Sequence, residues 1–381
     1  MKVAFCKEII NPTLPCHMEG YADRITNEQH DDLEVNTLLI EGSKTIIFHI
    51  LDVILIDKNF GKKVISILSN KFSIPKEQIV IEATHTHSGP KVSTVLYPDI
   101  LPSDKYLQSI INTIIKNTEY CLESKTEAKA FFGTTEVNGF YGNRNDKSLP
   151  FNNKVYTLQF RDFSNKPLIS FINLACHPTI LSPEELHISS DLIGVLRNEY
   201  LRLTDIPAII VNGECGDVST RHFRKGQDFT ELERVGQGIA KLLVQTNNFI
   251  EVSLENISIS SYTLTINYEQ HDGFPKKSSI FCLDKDHPTC YLYETEDFRF
   301  VTFPGELVFN LGKLLRSKDE KPMFINAYTN AFNGYAVDKQ QYGKYYESKM
   351  TNFPLGLADK LILEIINLYK PYIKNNSNAN I

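Results

Sequence analysis

Residues 81–90 read IEATHTHSGP: an apolar run that ends in Thr-His-Thr-His and breaks at Ser-Gly-Pro. On an extended chain, side chains two apart project to the same side, so the spacing predicts that His85 and His87 face one space together. Two imidazoles placed that way suit a divalent cation, or one ligand beside one acid–base group. A merely polar strand end would also account for them. The remainder of the chain decides between these readings.

The same design recurs along the sequence. Five apolar, β-rich runs each end in a polar residue followed by a turn or helix signal. IVIEAT runs to His85, and PLISFINLAC to His177. PAIIVNG leads to Glu214, and FRFVTFPG to Glu306 at the start of an apparent helix. MFINAYTNAFNG leads to Tyr335. Near-continuous apolar runs are expected of strands covered on both faces. In such sheets ligands collect at the carboxyl ends of strands, where side chains from distant parts of a chain converge. Two histidine segments and a carboxylate make a plausible zinc set, because catalytic zinc takes three N or O ligands and keeps one position for water. The residues alone leave open which histidine of the pair binds, and do not separate zinc from manganese or iron.

The chain has 381 residues, enough to bury roughly three quarters of its unfolded surface. With 42% hydrophobic and 23% charged residues and a net charge of -6, it reads as a globular protein without the basic patch of a nucleic-acid binder. The apolar stretch at the N-terminus is cut by Lys7 and Glu8, too short for a signal-peptide core, and no window suggests a membrane span. Seven scattered cysteines with no Cys-x-x-Cys predict free thiols in a reducing cytoplasm and no cysteine-based zinc site.

The fold class expected is α/β, with α+β the alternative: one large catalytic domain over residues 1–374, mixed sheets flanked by helices, and a disordered tail at 375–381. Residues 35–56 read as a hairpin turning at Gly42-Ser43-Lys44. Residues 58–72, 104–124, 189–203, 228–246 and 354–373 have helical spacing, with Asp104 as a cap. Residues 251–269 alternate as a strand pair should.

THTHSGP (84–90), CHP (176–178), GDVS (216–219), PGE (304–306) and YTNAFNGYAVDKQQYGKYYES (328–348) occur in that order. Together with GYADR (20–24) and NRND (143–146), they resemble the catalytic domain of the neutral/alkaline, non-lysosomal ceramidase family. The resemblance runs from about residue 3 to about residue 350. It implies one zinc per chain, held by His85, His177, Glu306 and Tyr335, with Tyr328 the fallback for the tyrosine. It also implies that His87 and Arg144 are active-site residues, and that Ser219 matches a serine once considered a nucleophile. GDVSTR stands where the family has GDVSPN. The signal peptide and C-terminal β-sandwich of the family's secreted members are not expected here.

The resemblance implies a zinc-dependent hydrolase of linear amide bonds, acting on a small-molecule or lipid-like N-acyl amide. Arg144 and His87 would stabilise negative charge, and His87 would protonate the departing amine. Asp52 and Asp191 are candidates to hold a histidine ring through its second nitrogen, with helix capping the simpler role for Asp191. Two other readings stand beside this one. One is a serine-type hydrolase using Ser219, although no G-x-S-x-G elbow surrounds it. The other is a metal-stabilised ligand-binding protein without catalysis.

Overall fold

The structure is a computed structural model that describes residues 1–268 and 285–372. Cys282 and the tail at 375–381 lie outside the described residues. Three mixed sheets carry the architecture. The first runs Ile79–Ala83, Thr45–Leu51, Glu34–Glu41, Lys2–Ile9, Thr126–Glu127; the hairpin expected at 35–56 forms its centre, with Glu41 opposite Thr45. The second runs Ala208–Asn212, Pro167–Leu174, Lys154–Arg161, Lys129–Glu136, Ile250–Val252. The third runs Ser258–Thr263, Thr289–Glu294, Arg299–Thr302, Met323–Asn326.

Each sheet is antiparallel except at one edge, where two strands run parallel. These pairs are 45–51 with 79–83, 167–174 with 208–212, and 299–302 with 323–326. A parallel pair sends both carboxyl ends to the same side. The three pairs therefore offer six such ends, and the functional motifs sit just beyond them. The sheets meet over an aromatic cluster to which each contributes: Phe48 lies 5.4 Å from Phe171 and 5.3 Å from Phe300, and Phe171 lies 5.4 Å from Phe324. Burying such rings is the main driving force for holding three sheets together.

A polar knot stitches the same three edges. Glu82, fully buried in the strand before His85, accepts from the backbone N–H of Asn212 (3.2 Å) and from Asn326 Nδ2 (2.8 Å). Asn173 Nδ2 donates to the Ile325 carbonyl at 2.8 Å. Each sheet is thereby tied to the next within a few residues of the motif-bearing ends.

Helices flank these sheets: α1 (Lys58–Phe72), α2 (Asp104–Glu123), α3 (Asp191–Thr204), α4 (Phe229–Leu243), α5 (Phe309–Leu315), α6 (Tyr346–Lys349) and α7 (Leu357–Asn367). The expected stripe on α2 is buried at Ile110, Ile111 and Ile114, but its cap is Ser103, whose Oγ accepts from the Tyr106 N–H, and not Asp104. The pair expected at 251–269 is corrected as well. Ile250–Val252 pairs with the second sheet and Ser258–Thr263 with the third, so the segment crosses between sheets instead of folding back on itself. Among the described residues, no helix is long and apolar enough to cross a membrane.

Candidate metal centre

The chain is not extended at His85. The strand stops at Ala83, and His85 has φ +70, in the left-handed region. For a residue with a Cβ that conformation costs roughly 1–3 kcal/mol and needs surrounding structure to enforce it. Here the backbone N–H of His85 donates to the Val53 carbonyl at 3.0 Å, and its Nδ1 donates to the Ile54 carbonyl at 2.6 Å. His85 and His87 nevertheless share one space, with their Nε2 atoms 3.2 Å apart.

His177 is fixed by the same device from the second sheet. Its backbone N–H donates to the Val218 carbonyl, and its Nδ1 to the Cys215 carbonyl at 2.6 Å. A carbonyl only accepts, so both Nδ1 atoms carry the proton and both Nε2 atoms present a bare lone pair. Backbone carbonyls do the work expected of carboxylates. Asp52 instead pairs with Arg197 at 3.0 Å, and Asp191 accepts from the backbone N–H groups of Ile180, Leu181 and Leu192 at the start of α3.

Glu306 arrives from the third sheet. It does not open a helix: it pairs in parallel with Tyr335 in a two-residue ladder, and α5 starts later, at Phe309. Gly305 makes the turn possible, because a Cβ there would lie 2.4 Å from the Gly334 carbonyl oxygen. Glu306 Oε2 lies 2.9 Å from His177 Nε2 and 3.6 Å from His85 Nε2. Tyr335 hydrogen-bonds Glu306 through its side chain and accepts from Arg144 Nη2 at 3.1 Å. Tyr328 stacks on the His85 ring at 4.2 Å and commits its hydroxyl to Cys215, so it forms a wall. Glu214 leaves the centre altogether for Arg316 and Asn152.

Burial disfavours charge throughout. It pushes the His85 imidazole down to about 4, with the His177 and Arg144 sides adding to the effect against Glu306. It pushes His177 down to about 3, with Arg144 adding to it. It holds His87 well below its ordinary value, and it raises the Glu306 carboxyl against the pull of His85 and Arg144. Neutral imidazole lone pairs therefore face a carboxylate. Either Glu306 keeps a proton, or a cation lies among them. Ligands ~2 Å from a tetrahedral zinc lie about 3.3 Å from one another, so the spacings and donor types fit such an ion. His85, His87 and His177 form a group whose donor atoms all lie within 4.8 Å of one another and could hold a metal ion. His87 Nδ1, buried without a hydrogen-bond partner, adds a further unmet demand.

Arg144 reaches this group with its guanidinium oriented by Glu347, whose Oε1 accepts from Nε at 2.6 Å. Its Nη1 is 3.4 Å from His177 Nε2. Glu347 was missed in the sequence because nothing in YYES distinguishes it from a surface carboxylate; in the structure it is fully buried on α6. GYADR cups His87: a Cβ at Gly20 would lie 2.8 Å from His87 Cα, the Tyr21 ring sits 4.8 Å from the imidazole, and Arg24 Nη2 donates to the His87 carbonyl at 2.6 Å. Ser219 forms a backbone bridge with His177, and its Oγ accepts from the Arg221 N–H at 3.2 Å. Asp217, expected as a turn former, is buried and clamps three segments by accepting from the Phe309 N–H, Asn143 Nδ2 and Gln341 Nε2.

Mixed sheets whose parallel edges converge on histidines and a carboxylate define an α/β protein with a metal-type centre at its strand ends. The fold is that of neutral ceramidase. The neutral ceramidase of Pseudomonas aeruginosa aligns with 96% of this chain and 73% of its own, with a TM-score of 0.80 and 16% identity. A ceramidase complexed with C2 aligns with 100% of this chain and 78% of its own, with a TM-score of 0.79 and 15% identity. At these identities the likeness is one of fold. No protein-family model and no curated protein matches the sequence.

Proposed function

We propose that the protein is a zinc-dependent hydrolase of linear amides, acting on N-acyl amides from a catalytic domain over residues 1–374. The observation that carries this reading is that His85 and His177, arriving from the first and second sheets, both lie within 3.6 Å of the Glu306 carboxylate that follows the third. One zinc would be held by these three with Tyr335. His87 stands opposite Glu306 as the rival third ligand. When bound, zinc supplies Lewis acidity and lowers the pKa of water toward about 7.

The protein's own groups do the rest. Arg144 stays cationic in a buried place: burial opposes its charge, but Tyr335 and Glu347 hold it well above its ordinary value. It faces the space over His177 and stabilises negative charge on a carbonyl oxygen there. His87, neutral and unbonded at Nδ1, would take a proton from the attacking water and pass it to the departing amine. Ser219 lacks an adjacent base among the described residues and accepts a hydrogen bond from its own loop, which favours a loop-stabilising role over a nucleophilic one. The six described cysteines are free, which supports a reducing cytoplasm as the compartment we propose.

The test is a panel of acyl amides assayed with the purified protein before and after chelation. Turnover that chelation removes and zinc restores is expected. Undiminished turnover after metal stripping, with loss on Ser219→Ala, would select the serine mechanism.

A further inference from the structure

Three arginines crowd one rim of the centre, and none has a carboxylate partner among the described residues. Arg24 spends its guanidinium on the carbonyls of His87, Pro183 and Glu185. Arg224 donates to the Thr179 carbonyl at 2.6 Å. Arg221 is exposed, and among the described residues no hydrogen bond or ion pair engages its side chain. Of the neighbouring acids, Glu185 Oε1 lies 2.5 Å from His187 and Asp191 is filled by backbone N–H groups, while Glu184 acts on Arg24 and Glu231 on Arg224. In a chain of net charge -6, the exposed and unpartnered Arg221 beside two further arginines calls for an explanation.

The backbone sets Arg221 beside the centre. Ser219, two residues before it, bridges His177. His222, one residue after it, has Nε2 bonded to the Arg144 carbonyl at 3.1 Å. Burial raises both the Tyr21 and the Tyr346 hydroxyl, and the Arg221 charge lies near enough to each to pull against that rise. Those two rings lie against the centre: Tyr21 packs against His87, while Tyr346, 53% exposed, sits 6.0 Å from the Tyr335 ring and over the Arg144 guanidinium.

We propose that Arg221 is a specificity-determining residue that receives an anionic group carried close to the scissile amide, which makes the substrate an N-acyl amino acid. A guanidinium fork matches a carboxylate bidentately, and a residue this close to the centre selects an anion only a few bonds from the amide. The carboxylate on the carbon attached to the amide nitrogen meets that requirement. This inference rests on the amide-hydrolase reading and deepens it.

The test compares N-lauroylglycine with the neutral N-lauroylethanolamine, using wild-type protein and Arg221→Gln. N-lauroylglycine should show a KM at least about tenfold lower than the neutral amide at low salt. Arg221→Gln should erase that preference, with kcat and the neutral amide's KM unchanged, and added salt should weaken it. A substitution that shifts both amides equally, or neither, overturns the proposal. If neither amide is hydrolysed, the hydrolase reading fails by itself. Calorimetric binding of the same two compounds then decides: tighter N-lauroylglycine binding lost in Arg221→Gln supports the anion site, and equal binding in both proteins overturns it.

Discussion

Two polar clusters lie close together in the chain around residues 52 and 85, and they differ in how their demands are met. Asp52, Glu34, Arg197 and Lys7 bring two charges of each sign together. Arg197 lies 3.0 Å from Asp52 and 3.0 Å from Glu34, Lys7 lies 2.8 Å from Glu34, and Asp52 also accepts from the Glu34 N–H. His85, His177 and Glu306 bring acceptors to face acceptors. Apart from the half-exposed Lys7, both clusters are buried. Burial of polar groups therefore does not mark a site; an unmet demand does. A closed set of pairs holds the fold, while an open set of lone pairs asks for a ligand.

The largest effect should come from opening the closed set. Arg197→Met strands Asp52 and Glu34, and should destabilise the fold by about 3–5 kcal/mol. Urea unfolding reads this, with turnover of the remaining folded fraction unchanged. A loss of turnover without a shift in midpoint would erase the contrast between the clusters. Next, Arg144→Met should lower kcat about 10²–10³-fold, because the guanidinium acts on developing charge, and should also cost stability because it strands the buried Glu347 carboxylate.

The knot beneath both clusters should give a smaller and more selective result. Burial raises the Glu82 carboxyl well above its ordinary value, against the hydrogen bonds from Asn326 and Asn212, and so favours its protonated form. Glu82→Gln should then be nearly silent. Glu82→Leu leaves the Asn212 N–H and the Asn326 amide unpaired, at about 1–3 kcal/mol each. Equal damage from both substitutions would show that the carboxyl works ionised.

The smallest expected effect concerns pH. His49, bonded to Thr37 Oγ1 at 2.9 Å, is pushed down to about 3 by burial. The unfolded chain binds a proton there below about 6.5 and the folded chain does not, so stability is full above that pH and falls as pH drops through it. The loss is about 2 kcal/mol by pH 5. Thermal melts of wild type and His49→Gln between pH 7 and 5 check this: the variant should start lower and decline less. Parallel curves would contradict it.

Much of this was legible before the structure. α1 and α4 follow from spacing alone, and the hairpin at 35–56 from two apolar runs about Gly42-Ser43-Lys44. The strand-end reading of His85, His177 and Glu306 also stands, because each motif directly follows its own apolar run. What was not legible was long-range. Nothing local says that three edges would each be parallel, or that residues 251–263 would divide between two sheets. Asp52 looked like a partner for histidine, and its true partner Arg197 lies 145 positions away. Glu82 did leave a signal, as a lone acid inside IVIEAT, and a buried carboxyl amid apolar residues should prompt a search for amide partners. Glu347 left none.

The central claim is that the open cluster holds one ion. Elemental analysis of protein purified without chelator, alongside His85→Ala and His177→Ala, tests it most directly. About one zinc per chain in the wild type is expected, with loss of the metal and of chelator-sensitive turnover in either variant while both remain folded. A wild-type protein free of stoichiometric metal, or variants that keep it in full, would contradict the account.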